Sequence, residues 1–200
     1  LAAVTSPPYD VIGPDGVAHY ERSSDVNVVR LILPRRDRSG DGYRHAAHDL
    51  AAWLDAGVLT IDADPAVFVY EQAYGEQSWL GLLAATSVHD PGSGAVLPHE
   101  DVFPGAVDDR AALMAATSAQ LEPIMLVHEG RQSLGHALRV RARGPAELGV
   151  TTEDGITHRL WRVSDADDIA ALNRVVGDGH ALIADGHHRY ETAVAFADEV

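Results

Sequence analysis

The sequence contains no cysteine and no lysine; all fifteen basic residues among its 200 are arginine. Without a thiol there is no thiolate nucleophile, no disulfide framework and no cysteine-based zinc site. Without lysine there is no P-loop lysine, no kinase-type strand lysine and no Schiff base through a lysine amine. Basic charge of any kind is scarce. Thirty Asp and Glu leave a net charge of −15, a field that repels polyanions and argues against nucleic acid and anionic membranes as partners. No apolar run approaches the roughly 18–20 residues that span a bilayer, and no signal-peptide pattern opens the chain. The expectation is a cytoplasmic protein whose partner is a small molecule.

The rest of the composition is ordinary. A hydrophobic fraction of 46% with 22% charged residues suits a globular chain with one large domain or two small ones. The chain starts at Leu1 and stops at Val200 inside an apolar-periodic stretch. It therefore reads as a fragment truncated at both ends, its C-terminal part missing.

Periodicity gives a mixed set of elements. The short β-branched run at 26–33 reads as a buried strand stopped by Pro34, and RRDRSGDG at 35–42 as an exposed polar connection. A helix is predicted over 43–56, closed by Gly57. Strands at 67–74 and 79–90 flank a Gly-Glu-Gln turn, which predicts a hairpin. Asp108 and Asp109 are expected just before a helix from about Arg110 to Ala119, at its positive end. A strand at 122–129, a helix near 131–142 and a hairpin around Glu153-Asp154-Gly155 follow. Ser164 reads as the cap of a strong helix with an acidic first turn. HALIA at 180–184 is a strand, DGHH a turn, and RYETAVAFADEV a helix. Trp53, Trp79 and Trp161 are expected in the core. The fold class is α+β, with a mixed, mostly antiparallel sheet and packed helices. It forms a single region over 1–200, with 1–120 and 121–200 as the alternative division.

Three clusters carry candidate chemistry. In Asp185-Gly186-His187-His188-Arg189-Tyr190 an apolar strand breaks and enters a helix. A helix start offers unpaired N–H groups and partial positive charge, and Gly186 permits close backbone approach, so the cluster suits phosphate or carboxylate. The plainer reading is that Asp185 caps the helix while the histidines and Arg189 neutralise nearby carboxylates. The second cluster, His99 and Glu100 in a loop leading to Arg110, can supply a general base, a metal ligand or an ion pair. Phe103 stands where HExxH requires histidine, which excludes a zincin site. The third, Pro8-Tyr9-Asp10, presents one carboxylate and one phenol, or else a plain turn in which Asp10 bonds its own backbone. His45 and His48 on a helix, and alternating Arg139, Arg141 and Arg143, read as solvated faces.

PPYDV, LPHED with the following DDR, LEPI and IADGHHRYETA occur here in the order found in the domain-of-unknown-function 1015 family, which this chain resembles from Pro7 to Ala193. Members of that family are longer, and they often carry a lysine shortly before the Asp-Arg that matches Asp109-Arg110. Here Val107 and Asp108 stand in that neighbourhood, so any role of that lysine is absent or falls to Arg110. A match of about ten residues, centred on the stretch from Gly186 to Glu191, is also similar to the phosphate-holding loop of sulfiredoxins, the ParB superfamily and the related free-serine kinases. That likeness implies a ParB/sulfiredoxin-like element at the C-terminal end of the chain. Sulfiredoxin chemistry is excluded, since position 187 is His and the chain has no Cys. DNA partitioning does not suit the net charge.

What the resemblances imply is an enzyme that binds ATP or ADP with Mg²⁺, or another phosphorylated small molecule, and transfers a phosphoryl group to a hydroxyl-bearing metabolite. Asp185, Gly186, His187, His188, Arg189, Tyr190 and Arg110 would hold phosphate. Glu100, His99, Asp10 and His187 are the candidate catalytic groups. Two alternatives stay open: a metal-dependent hydrolase with His, Asp and Glu ligands, and a nucleotide-sensing module without turnover.

Overall fold

A computed structural model of the chain describes residues 1–35, 41–128, 132–177 and 179–199. Its elements, in order, are α1 (Pro14–Ser23), α2 (Val29–Ile32), α3 (Gly42–Asp55), β1 (Val67–Tyr74), β2 (Gln77–Leu83) and β3 (Val96–Leu97). Then follow α4 (Pro104–Thr117), β4 (Met125–His128), α5 (Gln132–Arg141), β5 (Leu148–Thr151), β6 (Thr157–Val163), α6 (Ala166–Val176), β7 (Ala181–Asp185) and α7 (His187–Glu199). The architecture is α+β, and among the described residues every strand pairing but one is antiparallel.

Two sheets divide the strands. The larger runs β2-β1-β6-β5. Gly75, at φ 59°, makes the tight link between β1 and β2, and Gly155, at φ 81°, makes the one between β5 and β6. Alternation along these strands sends Val67, Val69, Leu80, Leu82, Trp161 and Val163 to one face. Leu138 of α5 and Leu172 of α6 pack against that face. The smaller sheet runs β3-β7-β4, with β7 parallel to β3 and antiparallel to β4. Its core is Val96, Ile183 and Tyr190, backed by Ile124, Leu126 and Val194. Helix α7 packs on α4, α4 on α3, α3 on α2 and α2 on α1. The larger sheet draws β1 and β2 from before residue 120 and β5 and β6 from after it.

Several expected elements differ. The run at 26–33 is buried but forms the helical turn α2 in place of a strand. Asn27 explains the difference. Fully buried, it donates from Nδ2 to the carbonyls of Ala3 and Thr5, and its Oδ1 accepts from the Val29 N–H, which starts a helix where a ladder would begin. Helix α4 starts at Pro104, not Arg110, because proline at the first helical position is pre-shaped for it. Asp108, Asp109 and Arg110 thus lie in its second turn. Asp165, not Ser164, caps α6, its Oδ1 accepting from the N–H groups of Asp167 and Asp168. Strand β2 ends at Leu83, short of residue 90, and α7 begins at His187. Trp53 and Trp161 are buried, but Trp79 is 57% exposed, since it alternates with Leu80 onto the outer face of the sheet. Within the polar connection at 35–42, residues 36–40 lie outside the described residues, as does Glu129, the last residue of the expected strand at 122–129.

Candidate functional site

The first turn of α7 is where the chain's chemistry collects. Gly186 is buried and holds φ 93°, a backbone shape costly for any residue with a Cβ. A Cβ there would also press on the guanidinium of Arg189. The first bond within the helix runs from the Tyr190 N–H to the Gly186 carbonyl at 2.9 Å. The N–H groups of His187, His188 and Arg189 therefore have no carbonyl partner within the helix.

The loop between β3 and α4 reaches this turn. His187 is 2% exposed. The backbone N–H of His99 donates to its Nε2 at 3.3 Å, so in the neutral ring the proton sits on Nδ1. Nδ1 lies 2.9 Å from Oε1 of Glu100, an ion-pair distance without the alignment of a hydrogen bond. His99 crosses the His187 ring edge-on, 4.5 Å between centroids, and its own Nδ1–H donates to the carbonyl of Ile183 at 2.7 Å. The lone pair of His99 therefore sits on Nε2. His188 accepts the Phe103 N–H at Nε2, 3.0 Å away, and stacks on the Phe103 ring. Phe103 is the residue that opens α4. The positive ends of α4 and α7 thus meet across one imidazole.

The opposite side of the turn is built on buried arginines. Arg189, 4% exposed, donates from Nη2 to Oδ2 of Asp185 at 2.5 Å and from Nη1 to the carbonyl of Pro123. Its Nε is buried without a hydrogen-bond partner among the described residues. Arg110, 7% exposed, donates to Asp109 and, at 2.7 Å, to the carbonyl of Ile32. Its Cζ lies 4.2 Å from the centroid of the Tyr9 ring. Glu122 sits among these groups, with Oε2 4.0 Å from Arg110 Nη1 and Oε1 accepting the Tyr9 N–H at 2.9 Å. Burial pushes the Glu122 carboxyl above its ordinary range, although the Tyr9 N–H and the charges of Arg189 and Arg110 pull it down. Burial likewise raises the Tyr9 phenol against the pull of Arg110.

The residues singled out in the sequence thus fall into two groups, joined by the first turn of α7. His99, Glu100 and His187 meet directly, while His188, next in the chain, reaches Phe103. Asp10, Arg110 and Arg189 gather around Tyr9 and Glu122, with Asp10 exposed at the rim and Asp185 paired to Arg189. Tyr190 turns inward instead, its hydroxyl accepting from the His89 N–H and donating to the His89 carbonyl. Among the described residues, no group of three or more His, Cys, Asp or Glu side chains is arranged to hold a metal ion. Sequence reasoning passed over Glu122 and Phe103. The LEPI motif contained the first, but only the fold brings it between two arginines.

The model of the family described as "Protein of unknown function (DUF1015)" matches residues 1–200. No curated protein and no solved structure matches the chain. No helix among the described residues is long and apolar enough to cross a membrane. The chain belongs to the DUF1015 family.

Proposed function

We propose that this member of the family binds a nucleotide or another phosphorylated small molecule at the first turn of α7 and transfers a phosphoryl group to a hydroxyl of a small metabolite. One observation carries the reading: the N-termini of α4 and α7 converge on His188. Two helix starts at one point concentrate partial positive charge, and the start of α7 adds three N–H groups without helical partners, which is a setting for phosphate in a chain otherwise strongly negative. The ten-residue likeness of this turn to the sulfiredoxin and ParB loops supports the same reading.

Each side chain then has a defined task. The N–H groups of His187, His188 and Arg189 cradle phosphate oxygens. His188 orients the two helix starts toward each other. Glu100, whose side chain is 57% exposed, accepts the proton of the acceptor hydroxyl, with His187 fixing its position. His99 presents its Nε2 lone pair as the alternative base. Phosphoryl transfer asks for positioning and charge neutralisation above all. Arg189 serves it as a positioning residue, because its guanidinium is committed to Asp185 and Pro123 and shapes the turn from beneath.

The test is turnover. γ-labelled ATP with Mg²⁺ is incubated with the protein and a panel of hydroxyl compounds, and label transfer is followed by phosphorus NMR. Transfer to any acceptor supports the reading. ATP binding without transfer or hydrolysis leaves a sensing module in its place.

A further inference from the structure

A well-formed cleft lies apart from the first turn of α7, between α1, the segment after α2 and α4. It has a volume of about 530 Å³, within the range of small-molecule sites. One wall is apolar, formed by Pro14, Val17 and Ala18 of α1 with Leu33 and Pro34 after α2. The polar lining is Arg35, Tyr43, Asp109 and Arg110. Tyr43 donates to Oδ1 of Asp109 at 2.6 Å, and Arg110 donates to Oδ2. Arg35 donates from Nε to Oε1 of the buried Glu21 at 2.7 Å.

Charge decides what such a cleft takes. Each guanidinium in the lining has a carboxylate partner, so the cleft offers little net charge to a bare anion. What remains is an aliphatic wall facing flat guanidinium and phenol groups, and guanidinium stacks well on aromatic rings. Arg110 already lies over one ring, that of Tyr9. Arg110 also lines a second, small cavity together with Glu122 and Arg189, which ties the cleft to the floor of the α7 turn.

We propose that this cleft binds the nucleoside part of a ligand, a flat uncharged heteroaromatic base held between the α1 wall and the Arg110 and Arg35 guanidinium groups. The choice of base-bearing ligands rests on the nucleotide reading above. Nucleosides carry no phosphate, so the two ideas fail separately.

The experiment titrates adenosine, guanosine, cytidine and uridine into the protein by calorimetry, beside ATP and pyrophosphate. Ala18→Trp fills the wall without touching α7, and circular dichroism checks its fold. Independently, 8-azidoadenosine is photolysed with the unaltered protein and the labelled peptide is mapped by mass spectrometry. The expected result is binding of at least one nucleoside, weakened tenfold or more by Ala18→Trp, with label on residues 14–18 or 33–35. Failure of all four nucleosides to bind overturns the proposal, and if ATP still binds, the phosphate reading survives it. Nucleoside binding unaffected by a folded Ala18→Trp, or label elsewhere, also overturns it. Nucleoside binding with no response to pyrophosphate or ATP leaves the cleft and removes the phosphate site.

Discussion

His187 Nδ1 and Glu100 Oε1 stand 2.9 Å apart, the first almost fully buried and the second on a side chain more than half exposed. A buried imidazole thus anchors a carboxylate that still faces solvent. If Glu100 is the base on the acceptor hydroxyl, Glu100→Gln keeps its shape and removes its basicity. The expected loss is at least about 100-fold in kcat, the lower end of what a positioned base contributes. ATP affinity should be unchanged or tighter, since a negative charge leaves the site. Steady-state kinetics beside calorimetric Kd values read both.

Gly186→Ala should destabilise the fold. The residue holds φ 93°, and a Cβ would meet the Arg189 guanidinium. Strained backbone alone costs about 1–3 kcal/mol, and displacing Arg189 from Asp185 and Pro123 adds to that. Urea unfolding curves of the two proteins give the difference.

The buried Glu122 carboxyl has a raised pKa, so folding favours its protonated form. Its favourable contribution is complete below the ordinary glutamate range and is lost as pH rises through the raised folded value. In Glu122→Gln this titration is gone. The stability difference, wild type minus variant, should therefore fall as pH rises through the window just above the ordinary range and level off beyond it. Denaturant midpoints measured across mildly acidic pH test the sign. A difference that rises with pH would mean that Arg110 and Arg189 outweigh burial.

Asp165→Ala removes the side chain that caps α6 on the far layer of the fold. A stability loss of about 0.5–2 kcal/mol is expected, with ATP affinity unchanged. The variant separates loss of stability from loss of the site.

The strand-to-helix turn at Asp185–Arg189 could be read from the sequence because Gly after an apolar strand, before a helical pattern, is a local signal. The hairpins around Gly75 and Gly155 were equally local. Where packing decides, the sequence was mute. The run at 26–33 is apolar in either period, and the long-range bonds of Asn27 to Ala3 and Thr5 make it helical. The outward face of Trp79 follows from register with β1, which no single strand reveals. Pro104 is a local start signal for α4 that the expected start at Arg110 overlooked, and it moves Arg110 into the second turn and so over Tyr9. Glu122 lies between two arginines from α4 and α7, an arrangement only the fold creates.

The central claim is that phosphate is held where α4 and α7 begin. Its most direct test is calorimetric titration of ATP and ADP into the protein, His188→Ala and Arg189→Ala, each checked for folding. ATP and ADP should bind the wild type, weakened tenfold or more by His188→Ala and by Arg189→Ala. No binding to the wild type, or unchanged affinity in the folded variants, would contradict it.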